Sequence, residues 1–131
     1  MSSFQRASDS PATSETSSRT VLVVEDDDAL RAYLTSILEE HGFDVIAASS
    51  GEEALQSLGD VKASLAVLDI GLPGMDGFAV AEQLAKDVHV IVVTGDPLKA
   101  KMRAFGRAKP LTILAKPITQ EQFEAALQAA L

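Results

Sequence analysis

Apolar, β-branched runs alternate with stretches of helical periodicity along most of this chain. Five runs have the composition of buried strands: Thr20–Val24, Phe43–Ala47, Ser64–Leu68, Val88–Val93 and Leu111–Ala115. The segments between them read as helices. In the first, Leu30, Leu34, Ile37, Leu38 and His41 recur on one face, Asp28 stands as the N-cap and Gly42 ends the element. The second covers about Gly51–Leu58 and turns Ala54, Leu55 and Leu58 inward. A third follows Met75-Asp76-Gly77 to about Lys86, and a fourth follows Pro97. The fifth opens on Thr119 as a Thr-x-x-Gln capping box and aligns Phe123, Leu127 and Leu131. Strand followed by helix five times, with no internal repeat, predicts an α/β fold: a parallel sheet with helices on both faces.

Residues 1–19 stand outside this pattern. They are rich in Ser and Thr and poor in large apolar groups, so they cannot bury enough surface to offset ordering entropy and are expected to be a disordered tail. The ordered domain is then 20–131. With 131 residues, 47% of them hydrophobic, the chain has room for one core and not for two ordinary ones. A net charge of −8 gives no basic footprint, which disfavours sequence-independent attraction to nucleic acid or an anionic membrane. The absence of cysteine excludes disulfides, a thiol nucleophile and a Cys-ligated metal. No apolar run approaches a membrane span, and no secretory signal opens the chain; a soluble, cytoplasmic protein is the expectation.

In an open parallel sheet, sites form beyond the carboxyl ends of the strands, near the point where strand order reverses. The residues at those ends are Glu25-Asp26 after the first strand, Asp69 after the third, Thr94 after the fourth and Lys116 after the fifth. Any one of them alone is an ordinary loop acid, strand end or lysine. Four strands of one sheet delivering such groups to one edge is another matter. Crowded carboxylates stay ionised only if a cation sits among them or one takes a proton, and a hard ion such as Mg²⁺ suits an all-oxygen set. Asp69 has the chemistry of a phosphoryl acceptor, with Lys116 and the Thr94 hydroxyl as partners for phosphoryl oxygens. Of the remaining acids in the Glu25–Asp28 run, Asp27 is read as facing solvent and Asp28 as the helix cap.

With these residues in view, the chain from 20 to 131 resembles the receiver domain of the bacterial two-component response regulators. The resemblance is carried by VLVVEDD, AVLDIGLPGMDG, IVVTG and ILAKPIT, in that order. It implies a flavodoxin-like (β/α)5 fold with strand order 2-1-3-4-5, and Asp69 as phosphoacceptor. It implies Mg²⁺ held by Glu25, Asp26, Asp69 and the Gly71 carbonyl, Thr94 and Lys116 against the phosphoryl group, and a cis bond before Pro117. Pro73 and Gly74 would shape the loop after the acceptor. The implied donor is a histidine kinase or histidine phosphotransfer protein. The implied response is a change in the face formed by the fourth helix, fifth strand and fifth helix, read by a downstream protein.

The resemblance is imperfect in four places. The acidic pair is Glu-Asp, so the longer Glu25 arm is expected to reach the metal through water. Ile113 occupies the position, three before Lys116, where many members carry a switching aromatic residue. The interval from Asp69 to Thr94 is short, which predicts a trimmed third helix or following loop. Gly71 leaves the path for attacking water open while Asp96 adds charge beside it. Because the fifth helix reaches the last residue, the expectation is a single-domain protein, monomeric or weakly dimeric, that catalyses only its own phosphorylation and dephosphorylation and signals through contact. Two other readings compete: an aspartyl-phosphate hydrolase with Asp26 as nucleophile and Asp28 as acid, and an unphosphorylated adaptor of the same fold.

Overall fold

The computed structural model describes residues 19–72, 74–104 and 111–130. The tail expected over 1–19, apart from Arg19, lies outside the described residues, as do Pro73 and Leu131. Arg19 itself places its guanidinium over the Phe43 ring, 4.4 Å from the centroid.

The elements run β1 (Thr20–Val24), α1 (Asp28–Glu40), β2 (Asp44–Ala48), α2 (Gly51–Leu58), β3 (Leu65–Asp69), α3 (Gly77–Glu82), β4 (His89–Thr94), α4 (Pro97–Ala104), β5 (Leu111–Ala115) and α5 (Gln120–Ala130). The strands form one parallel sheet ordered β2-β1-β3-β4-β5. The chain therefore winds outward to β2, crosses back over β1 and continues the other way, which puts the reversal between β1 and β3.

The two-residue period of the strands sorts the core into two halves. Leu22, Val24, Ala66, Leu68, Val90 and Val92 face α2, α3 and α4, where Ala54, Leu58, Phe78, Val80 and Ala100 meet them. Val21, Val23, Leu65, Val67, Ile91 and Val93 face α1 and α5, packing on Leu34, Ile37, Leu38, Phe123 and Leu127. Both faces of the central strands are dry, which is why they read as unbroken apolar runs rather than alternating ones.

Several sequence expectations are corrected. Asp27, not Asp28, caps α1: its backbone is extended and its side chain accepts from the Leu30 N–H at 3.0 Å. Asp28 is already helical and its carboxylate takes Arg31 Nη2 at 2.6 Å. His41 does not join the apolar stripe of α1; it stands at the helix C-cap, half exposed, with Nε2 3.0 Å from Glu124 Oε2. The third helix stops at Glu82 rather than near Lys86, because Gln83 and Leu84 donate to Val80 and Ala81, closing tight turns instead of a further α-helical turn. Strands β2, β3 and β4 each end one residue later than the apolar runs, taking in Ala48, Asp69 and Thr94. The Thr119 capping box does form, with Gln122 N–H on Thr119 Oγ1 and Thr119 N–H on Gln122 Oε1, both at 3.1 Å.

The start of α3 is fixed by a close approach. A Cβ added to Gly77 would stand 2.5 Å from the Asp69 carbonyl oxygen, closer than non-bonded carbon and oxygen can come, so glycine is required there for steric reasons. Gly77→Ala should lower stability by about 1–3 kcal/mol despite alanine's better helix propensity, since the clash is with backbone that cannot turn aside. A urea midpoint unchanged by the substitution would contradict this.

Candidate functional site

The strand register assembles the site one residue at a time. Val24 pairs with Leu68, so Glu25 emerges beside Asp69. Asp69 pairs with Val93, Thr94 pairs with Ala115, and the Lys116 N–H then donates to the Thr94 carbonyl at 2.7 Å. In this way four strands bring three carboxylates, a hydroxyl and an ammonium to one edge. One oxygen each of Glu25, Asp26 and Asp69 lies within 4.8 Å of the others.

Asp69 has both carboxylate oxygens engaged: Oδ1 accepts from the Gly71 N–H at 2.8 Å and Oδ2 from Lys116 Nζ at 2.9 Å. Lys116 also reaches Glu25, with Nζ 3.2 Å from Oε1. A single ammonium thus stands between two buried acids. Burial pushes the Glu25 carboxyl up to about 7; the charge of Asp69 adds to the rise, and the Asp27 N–H and Lys116 offset part of it. Burial pulls the Lys116 ammonium down, but its hydrogen bond to Asp69 and the charge of Glu25 outweigh that and raise it overall.

Glu25 has a side chain only 2% exposed, and its Oε1 accepts no hydrogen bond of acceptable geometry. Asp26, in contrast, is exposed at the rim. Two further groups fix the Glu25 segment. The Asp27 N–H donates to Glu25 Oε2 at 3.1 Å, and Arg31 Nη1 donates to the Glu25 carbonyl at 2.8 Å. The acidic run is therefore tied to the first turn of α1 by its own cap residue.

An open cleft of about 370 Å³ lies over this edge, lined by Asp69, Gly71, Thr94, Asp96 and Lys116, with Ile70 and Gly95, and by Lys99 from α4. The Asp96 N–H donates to Thr94 Oγ1 at 2.9 Å, so the Thr94 hydroxyl proton is left to point elsewhere. The Asp96 carboxylate accepts from the Lys99 N–H at 3.1 Å and caps α4. Part of the charge that the sequence placed beside the water path is thus drawn to a helix N-terminus.

Ile113 lies in β5, half-buried, against the core half that includes α4. The Lys116-Pro117 peptide is cis. Asp28 does not line the cleft, being committed to Arg31 at the start of α1. Sequence reasoning missed Lys99 and Arg31. Neither sits at a strand end, and only the helix start that follows each strand brings them near.

A twisted parallel sheet of this order with an acid cluster at its carboxyl edge defines a class. The match to the response regulator receiver domain model spans residues 21–128, and the chain belongs to that family. Among curated relatives, the alkaline phosphatase synthesis transcriptional regulatory protein PhoP of Bacillus subtilis is 34% identical over 116 residues, covering 85% of this chain and 48% of PhoP. The transcriptional regulatory protein AfsQ1 of Streptomyces coelicolor is 38% identical over 73 residues, covering 56% of this chain and 32% of its own length. The chain thus spans half or less of the length of these relatives. Among solved structures, the chemotaxis response regulator CheY4 of Vibrio cholerae superposes with a TM-score of 0.76 at 24% identity, covering 86% of this chain and 98% of CheY4. A CheY-like receiver domain from Methanospirillum hungatei gives 0.75 at 26% identity, with 85% and 91% covered.

Receiver domains belong to signalling proteins rather than metabolic enzymes, and no helix among the described residues is long and apolar enough to cross a membrane.

Proposed function

We propose that this receiver is a phosphorylation-driven switch in which Asp69 takes a phosphoryl group from the phosphohistidine of a histidine kinase or histidine phosphotransfer protein. One observation carries the reading: the Asp69 carboxylate, the Lys116 ammonium 2.9 Å away and the Thr94 hydroxyl line one cleft beside a second, crowded pair of acids. An Asp69 oxygen forms the new bond to phosphorus as the bond from phosphorus to the donor nitrogen breaks, and the released imidazole keeps the electron pair. Lys116, already on Oδ2, is placed to pass to a phosphoryl oxygen. Thr94, whose oxygen accepts from Asp96, donates to another.

The donor set fits Mg²⁺. It is all oxygen, its carboxylates are crowded, and Glu25 Oε1 is buried without a hydrogen bond. Glu25, Asp26 and Asp69, with the Gly71 carbonyl, would hold the ion. Bound there, it supplies positive charge against the phosphoryl oxygens. The reading is tested by intact mass: the protein with a small acyl phosphate and Mg²⁺ should gain one phosphoryl group, and omission of Mg²⁺ should abolish the gain.

Lys99 extends the site. It lines the cleft and, among the described residues, its ammonium makes no hydrogen bond or ion pair, whereas that of Lys116 is shared by two acids. Lys99→Gln should slow labelling by anionic small donors about two- to tenfold, mainly through apparent KM and most visibly at low salt. Equal rates at low salt would remove Lys99 from the account.

A downstream protein would read the state on the face of α4, β5 and α5. On α4, Leu98 and Met102 are 67% and 70% exposed, apolar surface that a reader could cover. With a net charge of −8, the chain itself is poorly suited to nucleic acid, and a monomer or weak dimer suffices for the switch.

A further inference from the structure

The connection from β3 into α3 bears directly on Asp69, because Gly77 packs against the Asp69 carbonyl with no room for a Cβ. The peptide of Asp69 and the first turn of α3 cannot move independently. Asp76 caps that turn through Oδ1, which accepts from the Ala79 N–H at 3.0 Å. Its other oxygen takes Arg103 Nη1, from the last turn of α4, at 2.7 Å. The same guanidinium lies over the ring of buried Phe78, 4.6 Å from its centroid. Arg103 therefore grips the residues on both sides of Gly77.

We propose that Arg103 is a positioning residue that latches α4 to the β3–α3 connection, so that the state of Asp69 and the placement of α4 are coupled through Gly77, Asp76 and Arg103. This rests on the reading of Asp69 as the acceptor. It gives α4 a route to the site that does not need an aromatic side chain at Ile113.

An exposed ion pair would be weak evidence, since such pairs contribute little. This one is different in two respects. Arg103 and Asp76 are 34% and 29% exposed, and the guanidinium is held at two points, by a carboxylate edge and an aromatic face. Burial pushes the Asp76 carboxyl up, yet its hydrogen bonds from Arg103 and the Ala79 N–H hold it below the usual carboxylate range. The latch is closed with Asp69 unmodified, so it weights the resting arrangement. By reciprocity, opening it favours the modified one.

The test uses the full chain with Mg²⁺ and fluoroberyllate as a stable phosphoryl mimic, comparing wild type with Arg103→Gln and Asp76→Asn. Asparagine caps helices about as well as aspartate, so the second variant keeps the start of α3 while losing the ion pair. Two quantities are read: the affinity for the mimic, and the amide hydrogen exchange of α4 with and without it. In wild type the mimic should alter α4 exchange. In each variant the mimic should bind about fivefold tighter or more and the α4 change should shrink. The double variant should add nothing to Arg103→Gln, because Asp76 acts on α4 through that guanidinium. Arg103→Lys, which keeps the charge but not the flat stack, should fall between. Unchanged or weaker mimic binding in both variants overturns the latch, as does an α4 response equal to wild type or absent from wild type. Failure of wild type to bind the mimic, or equal binding by Asp69→Asn, instead removes the acceptor reading beneath it. Global loss of stability would weaken mimic binding rather than tighten it, so the affinity separates it from the latch.

Discussion

Asp69→Asn is expected to leave a folded protein that gains no phosphoryl group from a small acyl phosphate and Mg²⁺, where wild type gains one. The substitution is nearly isosteric and keeps an oxygen for the Gly71 N–H that now reaches Oδ1 at 2.8 Å. What it removes is the nucleophile, since an amide oxygen does not form an acyl phosphate under these conditions, and the anion that Lys116 meets at 2.9 Å. Loss should be complete rather than partial. Intact mass spectrometry after a fixed exposure decides it, with Asp26→Asn as the comparison. Asp26→Asn should slow labelling by weakening the metal site without moving the attachment point. Labelling that persists in Asp69→Asn would sink the acceptor assignment. Turnover of a phosphomonoester that survives Asp69→Asn but not Asp26→Asn would favour the hydrolase reading instead.

The second large effect concerns stability without metal. Glu25 is raised to about 7 in the folded protein against an ordinary 4.5, so between those values the folded state holds the extra proton. The resulting penalty is fully present above pH 7 and is relieved as the pH falls toward 4.5. Metal-free Glu25→Gln should therefore be more stable than wild type by about 1–3 kcal/mol near pH 8, and the two should converge near pH 5. His89 works in the opposite sense: burial lowers its pKa, so acidification below its ordinary 6.5 costs stability. That contribution is common to both proteins and cancels in their difference. Saturating Mg²⁺ should erase most or all of the variant's advantage at pH 8, because wild type gains binding free energy, about 2.7 kcal/mol at a hundred times Kd, that the variant largely forgoes. Urea unfolding at pH 5 and 8, with and without Mg²⁺, measures all of this. A wild type to variant difference that does not vary with pH in the metal-free series would show that Glu25 stays ionised throughout.

The architecture was legible because parallel strands buried on both faces are written as apolar runs, and because four of the five runs lead directly into a polar residue that forms the site. Asp69, Thr94 and Lys116 needed only the register to bring them together. Elsewhere the same cues misled. Asp27 and Asp28 have identical capping chemistry, and only the extended backbone at Asp27 decides between them. The stretch after Met75-Asp76-Gly77 reads as helix to about Lys86, yet Leu84 is buried from the turn beyond α3 rather than from the helix itself. His41 has the right spacing for α1 but sits where the helix ends, and its ring turns to Glu124. Lys99 and Arg103 sit among the basic residues of α4 with no periodicity to mark them; their roles depend on what lies opposite in space. The match to the receiver family extends the reading of the fold, while the roles of individual side chains still rest on geometry.

The brevity of α3 has a consequence for how the molecule breathes. At six residues it has under two turns and few hydrogen bonds of its own, too little for an isolated helix to persist. Its order comes from Phe78, Val80 and Ala81 in the core and from the neighbours gripping its first turn. Such a segment keeps or loses its order as a unit, together with the packing that holds it. The peptide that carries the acceptor is thus flanked by the shortest of the described helices, one whose order is borrowed from its contacts, so a change at Asp69 meets a neighbour with little stiffness of its own.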